Sequence, residues 1–153
     1  MLEVKFYNSV EDSLLEFAVI ISKSNGKWGF CKHKERDTYE VPGGQREDGK
    51  SILETAKREL QEETGAVRFD IKLVCVYSVI GKSRVSENGK ETFGLLCYAE
   101  ISDFSGRLDS EMEKVVLMEE QPENWTYPLI QPKLIEEFER RKLQARNNCC
   151  PAN

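Results

Sequence analysis

Histidine and long apolar runs are what this sequence most clearly lacks. His33 is the only histidine in the 153 residues, which argues against a histidine-based catalytic triad or zinc site. No stretch approaches the roughly 20 apolar residues of a membrane-spanning helix, and the first residues lack the basic and then apolar pattern of a signal peptide. We therefore expect a cytoplasmic protein with no membrane partner.

The cysteines show no metal-ligand spacing, and their number, five, is odd. Cys31, Cys75 and Cys97 lie in apolar, strand-like runs, so we expect them to be buried thiols. Cys149 and Cys150 lie in a polar tail near the end of the sequence. Adjacent cysteines could bind a metal or oxidise, but the alternative is a tail with no such role, since termini are generally poorly ordered.

Basic residues are fewer than acidic ones. The chain has 22 lysines and arginines against 27 aspartates and glutamates, which gives a net charge of −5. A protein that binds the backbone of a nucleic acid usually presents a basic surface, so we expect no nucleic-acid polymer as a partner. An acidic protein that acts on phosphates needs cations at its site, which points to a bound metal.

The composition is otherwise that of a compact globular domain. Apolar residues make up 39% of the chain and charged residues 32%, and 153 residues are enough to bury a core. The sequence has no internal repeat and no linker. We predict one domain over residues 1–146, followed by a disordered tail over residues 147–153.

Most of the domain is predicted to form strands. Asn25 and Gly26 are a strong turn signal between two strand-like segments, which predicts a hairpin. The predicted strands are 15–22, 28–33, 38–41, 69–80, 92–101 and 115–118. A charged amphipathic helix is predicted over residues 132–146, with an inner side formed by Leu134, Ile135, Phe138 and Leu143. Strands around one central helix, with a second helix at the end, indicate an α+β fold with a mixed sheet covered on two sides.

The most informative segment, residues 43–66, is a glycine-rich loop followed by the central helix. Ser51 and Glu54 have the spacing of a capping box, which places the start of the helix. Gly65 suits the left-handed residue that ends a helix. The apolar stripe of the helix is predicted to be Leu53, Ala56 and Leu60.

Three carboxylates, Glu59, Glu62 and Glu63, fall at i, i+3 and i+4 and share one face of this helix. Carboxylates this close repel one another, and a bound divalent cation removes that penalty. Magnesium and manganese bind carboxylate oxygens together with water and phosphate oxygens, so the face indicates hydrolysis at a metal-bound phosphate. The alternative is a solvated acidic face with ordinary salt bridges. Arg58 can pair with Glu54 and Glu62, each four residues away.

The segment resembles the signature of the Nudix hydrolase superfamily, G-x5-E-x7-R-E-U-x-E-E-x-G-U, in which U is apolar. The positions that match are Gly44, Arg58, Glu59, Leu60, Glu62, Glu63, Gly65 and Ala66. Lys50 departs from the signature because it occupies the place of the first glutamate. In element order the resemblance extends over about residues 4–143, and it implies a three-layer α/β/α sandwich.

The resemblance also implies roles for individual residues. The implied ligands of magnesium or manganese are Glu59, Glu62, Glu63 and the carbonyl oxygen of Gly43. Arg58 would orient the glutamates, and it joins Glu59 and Glu62 among the implied catalytic residues. Glu111 and Glu113, in a loop that the signature does not reach, are candidates for a catalytic base or an additional ligand. The alternative is that both are surface acids beside a strand.

Within the superfamily the chain is most similar to the mutator-type nucleoside triphosphate pyrophosphohydrolases. It has no proline between Pro42 and Pro122, whereas the ADP-ribose type carries one soon after the signature. Gln131 precedes the last helix, where mutator-type enzymes have a polar residue that contacts the purine edge, and a glutamine can donate and accept at once. Trp125 and Tyr127 could stack on a base, or could be aromatic residues of the core or rim.

We therefore expect hydrolysis of nucleoside triphosphates, oxidised guanine forms such as 8-oxo-dGTP included, to nucleoside monophosphate and pyrophosphate. The alternative is a catalytically weak Nudix-fold module that binds a nucleotide or has a regulatory role. Lys50 favours the alternative, although it could also contact a phosphate or pair with Glu54. The retained acidic face favours the enzyme. The oligomeric state, monomer or homodimer, stays open.

Overall fold

The computed structural model describes residues 2–81, 88–105 and 112–148. The strands are β1 (Glu3–Tyr7), β2 (Leu15–Ser24), β3 (Lys27–His33), β4 (Tyr39–Glu40), β5 (Gly43–Gln45), β6 (Ala66–Ile80), β7 (Thr92–Phe104) and β8 (Met112–Met118). The helices are α1 (Ile52–Thr64) and α2 (Gln131–Asn148), with a short 3-10 helix at Asp12–Leu14. Each predicted strand is present, and β1 and β5 are additional.

The strands form one mixed sheet in the order β1-β6-β7-β2-β3-β4, with β5 paired to β2 and β8 paired to β3. At its centre, β2 and β7 run parallel, and the other strand pairs are antiparallel. One apolar core lies between the sheet and α1, and a second lies between the opposite face and α2. The predicted α+β class and the sandwich of a mixed sheet between helices are therefore confirmed.

The predicted hairpin connects β2 and β3. Asn25 (φ 52°) and Gly26 (φ 78°) both have a left-handed backbone, which is the combination that a two-residue type I′ turn requires. Ser24 pairs with Lys27 on the two sides of this turn. The hairpin orients β2, the strand against which the glycine-rich loop packs.

Helix α1 begins and ends where the sequence predicts. The Glu54 backbone N–H donates to Ser51 Oγ (3.1 Å), and the Ser51 N–H donates to Glu54 Oε1 (3.2 Å), so the capping box is complete. Gly65 ends the helix with φ 76°, a conformation that glycine adopts without steric penalty.

The predicted apolar stripe of α1 is wrong at Leu53. Ala56 and Leu60 are fully buried, whereas Leu53 is 37% exposed because it lies in the first turn, at the edge of the packed face. The other buried residues of this helix are Ile52, Thr55 and Thr64. At about 100° per residue, Glu59 and Glu63 fall within this inward face. Two of the three carboxylates therefore point towards the sheet side of the helix.

Helix α2 packs on the sheet only through its first half. Leu134, Ile135 and Phe138 are buried as predicted, but Leu143 is 60% exposed. The prediction fails at Leu143 because the residues after Phe138 are mostly exposed. The helix continues to Asn148, beyond the predicted start of the tail, and residues 149–153 lie outside the described part of the chain.

Cys31, Cys75 and Cys97 are buried free thiols, as predicted. Cys149 and Cys150 lie outside the described residues. Within the described ranges, no helix is both long and apolar enough to span a membrane.

Candidate active site

The glycine-rich loop lies against β2 as the short strand β5. Gly43 pairs with Val19, and Gly44 pairs with Ala18. A Cβ at Gly44 would lie 2.3 Å from Glu59 Cδ, and a Cβ at Gly43 would lie 2.7 Å from the Ala18 carbonyl oxygen. A larger residue at either position would displace its neighbours. The two glycines therefore allow β2, the loop and a carboxylate of α1 to lie in contact.

Glu63 lies behind this loop and is partly buried. The Gly43 backbone N–H donates to Glu63 Oε1 (2.8 Å). The pKa of Glu63 is raised to about 8, and burial is the main cause. The hydrogen bond from Gly43 lowers this pKa, and the charges of Glu59, Glu40 and Glu62 raise it. A nearby cation would favour the ionised form of such a carboxylate.

Glu59 and Glu62 complete the acidic face but differ in exposure. The Glu59 side chain is 13% exposed and the Glu62 side chain is 50% exposed. Burial raises the pKa of Glu59, and the charge of Glu62 adds to this effect, while the hydrogen bond from Arg58 opposes it. The interpretation of a solvated acidic face therefore fits Glu62 but does not fit Glu59.

Arg58 connects this acidic face to the loop that precedes the helix. Its Nη2 donates to Glu59 Oε1 (2.9 Å) and to the Gln45 carbonyl oxygen (3.2 Å). Its Nε lies 3.9 Å from Glu62 Oε1, so one of the two predicted pairings is present. These contacts fix the direction of the Glu59 carboxylate relative to β5.

The predicted pairing of Arg58 with Glu54 is wrong. The Glu54 carboxylate instead accepts the Ser51 N–H, and the hydrogen bonds to Ser51 lower the pKa of Glu54. Arg58 Nη1 lies 3.3 Å from Glu47 Oε2. Glu47 was not among the predicted residues, because it lies in the loop, outside the helical periodicity. Its position within the x5 interval of the signature was the only available signal.

Lys50, at the end of the same loop, is exposed. Its backbone N–H donates to the Glu47 carbonyl oxygen (3.1 Å), and its own carbonyl oxygen accepts a hydrogen bond from Arg46 Nε (2.7 Å). Its charge contributes, after the Ser51 hydrogen bonds, to the lowered pKa of Glu54. The structure thus places Lys50 near Glu54, and its contact with a phosphate stays a prediction.

A cavity of about 170 Å³ lies beside the loop, between β2, β5, β6 and the start of α2. Side chains on its wall include Phe17, Val19, Tyr77, Tyr127, Gln131 and Leu134. Gly43 and Gly44 belong to the same wall. The structure therefore brings the predicted residues Tyr127 and Gln131 together with the loop that contacts the acidic face.

Gln131 has a structural partner within this wall. It is 6% exposed, and its Oε1 accepts the Val41 backbone N–H (2.9 Å). This bond fixes the orientation of the amide, because only its oxygen can accept. The side-chain NH2 group can donate to a ligand, and one of the two lone pairs of the oxygen is already engaged by Val41. The predicted role of Gln131 as donor and acceptor to a base stays a prediction.

Trp125 is placed differently from Tyr127 and Gln131. Its ring meets Phe30 edge-on, with a centroid distance of 5.3 Å. Its backbone forms a bridge to Tyr39, and it packs against the core on the α2 side of the sheet. Trp125 does not belong to the described cavity wall, and this placement fits its interpretation as a core aromatic.

Glu111 and Glu113 were both predicted to lie in a loop. Glu111 lies outside the described residues, and Glu113 lies in β8 with a side chain that is not described. Their function as base or additional ligand stays a prediction.

Two wall residues were missed by sequence analysis. Tyr77 lies in an apolar strand, where it is indistinguishable from a core aromatic. Glu40 is 8% exposed and lies 3.5 Å from Arg36 in an ion pair. The only feature of the sequence that pointed to Glu40 was its position directly before Val41 and Pro42, which lead into the loop.

Oxygen donors at this site suit a hard divalent cation. Burial raises the pKa of both Glu59 and Glu63, and the charge of Glu59 further raises the pKa of Glu63. Magnesium or manganese would relieve this cost of ionisation. Across residues 2–81, 88–105 and 112–148, no three Asp, Glu, His or Cys side chains already form a group that could hold a metal ion. The assignment of a divalent-cation site therefore rests on the chemistry of the carboxylates.

Known sequences resemble this chain beyond the signature. A family model for the NUDIX domain matches residues 14–138. YtkD of Bacillus subtilis (strain 168), provisionally an 8-oxo-dGTP diphosphatase, is 35% identical over 106 residues, which cover 69% of this chain and 63% of that protein. The chain thus matches less than two thirds of that relative's length.

Solved structures share the fold. The crystal structure of a mutant of the Bacillus subtilis pyrophosphohydrolase BsRppH has a TM-score of 0.72 and 25% identity, with 90% of each chain covered. The NUDIX domain of Shewanella oneidensis NrtR, solved with ADP ribose, has a TM-score of 0.61 and 16% identity, with 88% of this chain and 94% of that chain covered. The NrtR likeness concerns the fold alone. Since the domain match spans most of the sequence and includes the glycine loop and the acidic helix, the chain belongs to the Nudix hydrolase superfamily.

Proposed function

We propose that the protein is a magnesium- or manganese-dependent nucleoside triphosphate pyrophosphohydrolase that acts on purine nucleotides, 8-oxo-dGTP included, and releases nucleoside monophosphate and pyrophosphate. One observation carries the proposal: Glu59 and Glu63 are withdrawn from water against Gly43 and Gly44, at the wall of a cavity. The similarity to YtkD supports the substrate class.

Glu59, Glu62 and Glu63 would hold the cation, and the Gly43 carbonyl oxygen is a further candidate. When bound, the cation supplies positive charge that offsets the charge of the phosphate oxygens. Arg58 keeps the Glu59 carboxylate directed towards the loop through its hydrogen bond to that residue. The Gly43 N–H holds Glu63 in the same way.

The reaction joins a water oxygen to phosphorus, breaks an anhydride P–O bond and leaves a proton to be accepted. A carboxylate within reach of the water can accept that proton. Glu62 is half-exposed on the acidic face and is one candidate. Glu111 and Glu113 remain the others.

The cavity would hold the nucleoside. Phe17, Val19 and Leu134 give it an apolar wall, which excludes water and suits a flat ring. Tyr127 belongs to the same wall, and the Gln131 NH2 group offers a donor. Such a wall binds the base, while the loop beside it binds the phosphates.

The proposal is tested with purified protein, magnesium and a substrate panel of nucleoside triphosphates, 8-oxo-dGTP, dinucleoside polyphosphates and nucleotide sugars. We expect purine triphosphates to yield monophosphate and pyrophosphate, separated by ion-exchange chromatography, and we expect a chelator to abolish the reaction. Strong hydrolysis of a nucleotide sugar or dinucleoside polyphosphate, with none of any triphosphate, would overturn the substrate class.

A second candidate is a module that binds nucleotides without turnover. Lys50 favours it, because a lysine stands where the signature has a glutamate and its side chain is exposed beside Glu54. Calorimetric binding of a nucleotide, together with no product from any member of the panel with either cation, would establish this candidate.

A further inference from the structure

Tyr77 lies where the neighbouring strand leaves room for its ring. It pairs with Gly94 on β7, and Gly94 pairs in turn with Phe17 on β2. A Cβ at Gly94 would lie 2.5 Å from Tyr77 Cζ and 2.6 Å from Tyr77 Oη. The ring therefore lies across the glycine, and the hydroxyl extends from β6 towards β2, on the side of the cavity.

The Tyr77 hydroxyl is buried at the cavity wall. Tyr77 is 6% exposed and lines the cavity. Burial is the cause that raises the pKa of its hydroxyl, and no hydrogen bond within the described part of the chain contributes. The group therefore stays protonated and can donate. Because buried polar groups are generally hydrogen-bonded, a hydroxyl in this position suits a ligand.

The other polar groups on the wall indicate which ligand. The Gln131 oxygen accepts the Val41 N–H, which orients the amide so that its NH2 group can donate to a ligand. Tyr77 and Gln131 can both donate hydrogen bonds to a keto oxygen of a base. They cannot do so to an amino group, which is itself a donor.

We propose that Tyr77 Oη donates a hydrogen bond to the 6-keto oxygen of the bound purine and is a specificity-determining residue of this protein. The inference rests on the proposed function, since it assigns a role within the same cavity. It predicts a preference for guanine-type over adenine-type nucleotides that depends on one hydroxyl group.

Tyr77→Phe tests the proposal because it removes only that hydroxyl. Tyr98→Phe is the matched control: the Tyr98 hydroxyl donates to Glu100 Oε2 (2.5 Å), and Tyr98 does not belong to the described wall of this cavity. Dissociation constants for dGMP and dAMP are measured by calorimetry with magnesium. We expect Tyr77→Phe to weaken dGMP binding about tenfold and to leave dAMP binding nearly unchanged. The control should leave both unchanged.

Thermal unfolding without ligand separates this role from a structural one. Tyr77→Phe should not lower the melting temperature, because it removes no hydrogen bond within the described protein. Gly94→Ala is a second variant, in which the added Cβ should displace the ring and reduce the same preference.

Unchanged dGMP affinity in Tyr77→Phe, or an equal loss for both purines, would overturn the inference while leaving the proposed hydrolysis standing. A wild-type protein that binds neither nucleotide would overturn the inference, whereas the hydrolysis is decided by the substrate panel. Selective loss of dGMP binding in a protein that releases no product would support the inference and overturn the hydrolysis.

Discussion

At the scale of single residues, the three carboxylates of α1 differ in how far they contribute to the fold. Glu59 and Glu63 contact the loop, whereas the Glu62 side chain is half-exposed and lies 3.9 Å from Arg58. Removal of the Glu62 charge should therefore affect the chemistry far more than the packing.

Glu62→Gln should lower kcat by roughly 100-fold or more, because a charged ligand or base is replaced by a neutral amide. The free energy of unfolding should change by less than about 0.5 kcal/mol, since the side chain is largely at the surface. Steady-state kinetics at saturating magnesium and urea unfolding measure the two effects. Glu136→Gln, an exposed glutamate of α2, is the control, and near-normal turnover in Glu62→Gln would remove Glu62 from the site.

Gln131→Ala should have two effects, because the same amide serves the fold and the cavity. Without Oε1 the buried Val41 N–H loses its partner, and the free energy of unfolding should fall by about 1–3 kcal/mol. The loss of the NH2 donors should reduce the preference between purine bases. Gln131→Glu keeps an acceptor for Val41 and loses the donors, so it separates the effects. Wild-type stability in Gln131→Ala would contradict the structural role.

Residues at short, regular spacing were the ones that the sequence could predict. The shared face of Glu59, Glu62 and Glu63 follows from helical periodicity alone. The partners of Arg58 could not be obtained in this way, because Glu54 is used by the helix cap and Glu47 approaches only after the loop folds back. The use of the Gln131 oxygen by Val41 is likewise a contact between distant parts of the chain.

At the scale of elements, α2 is stabilised by a carboxylate with several partners. Glu137 is 8% exposed. It accepts hydrogen bonds from Arg140 Nη2 (2.6 Å) and Arg141 Nε (2.7 Å). Arg141 also donates to Asn8 Oδ1 (3.2 Å), beyond the end of β1. This cluster therefore connects the helix to the edge of the sheet.

Glu137→Gln should reduce stability in a pH-dependent manner. The Arg140 hydrogen bond is the main cause that lowers the pKa of Glu137 below 4.5, so the stabilisation is fully present above that value and is lost as the pH falls through the folded-state pKa. We expect a cost of about 1–2 kcal/mol at pH 7. Urea unfolding at pH 7 and at acidic pH measures it, and a cost that stays the same in acid would contradict the assignment.

Elements with local signals were predicted well, and those that depend on distant partners were not. The capping box, the glycine end of α1 and the Asn25-Gly26 turn lie within a few residues of what they specify. The predicted burial of Leu53 and Leu143 was wrong, because the edge of a packed surface depends on where the sheet ends. β5 is short and contains two glycines, and it forms because β2 lies beside it.

At the scale of the whole molecule, the sheet brings the site together. The cavity wall takes residues from β2, β6 and the start of α2, and β7 separates β6 from β2 in the sheet. The sequence predicted the fold class and the acidic helix, because the signature is continuous. It could not predict the cavity, since Tyr77 and Gln131 become neighbours only through strand order.

The parallel pairing of β2 with β7 has a consequence for how the molecule must assemble. Leu15 pairs with Phe93, so the central contact closes a long loop, and such contacts generally form slowly. A fragment that ends soon after Ala66 would contain every residue of the signature and could still form α1. It would lack both β6 and β7, and therefore the cavity residue Tyr77 and the strand that separates β6 from β2 in the sheet. The signature segment contains the acidic residues of the site, but it cannot form the site without the strands that follow it.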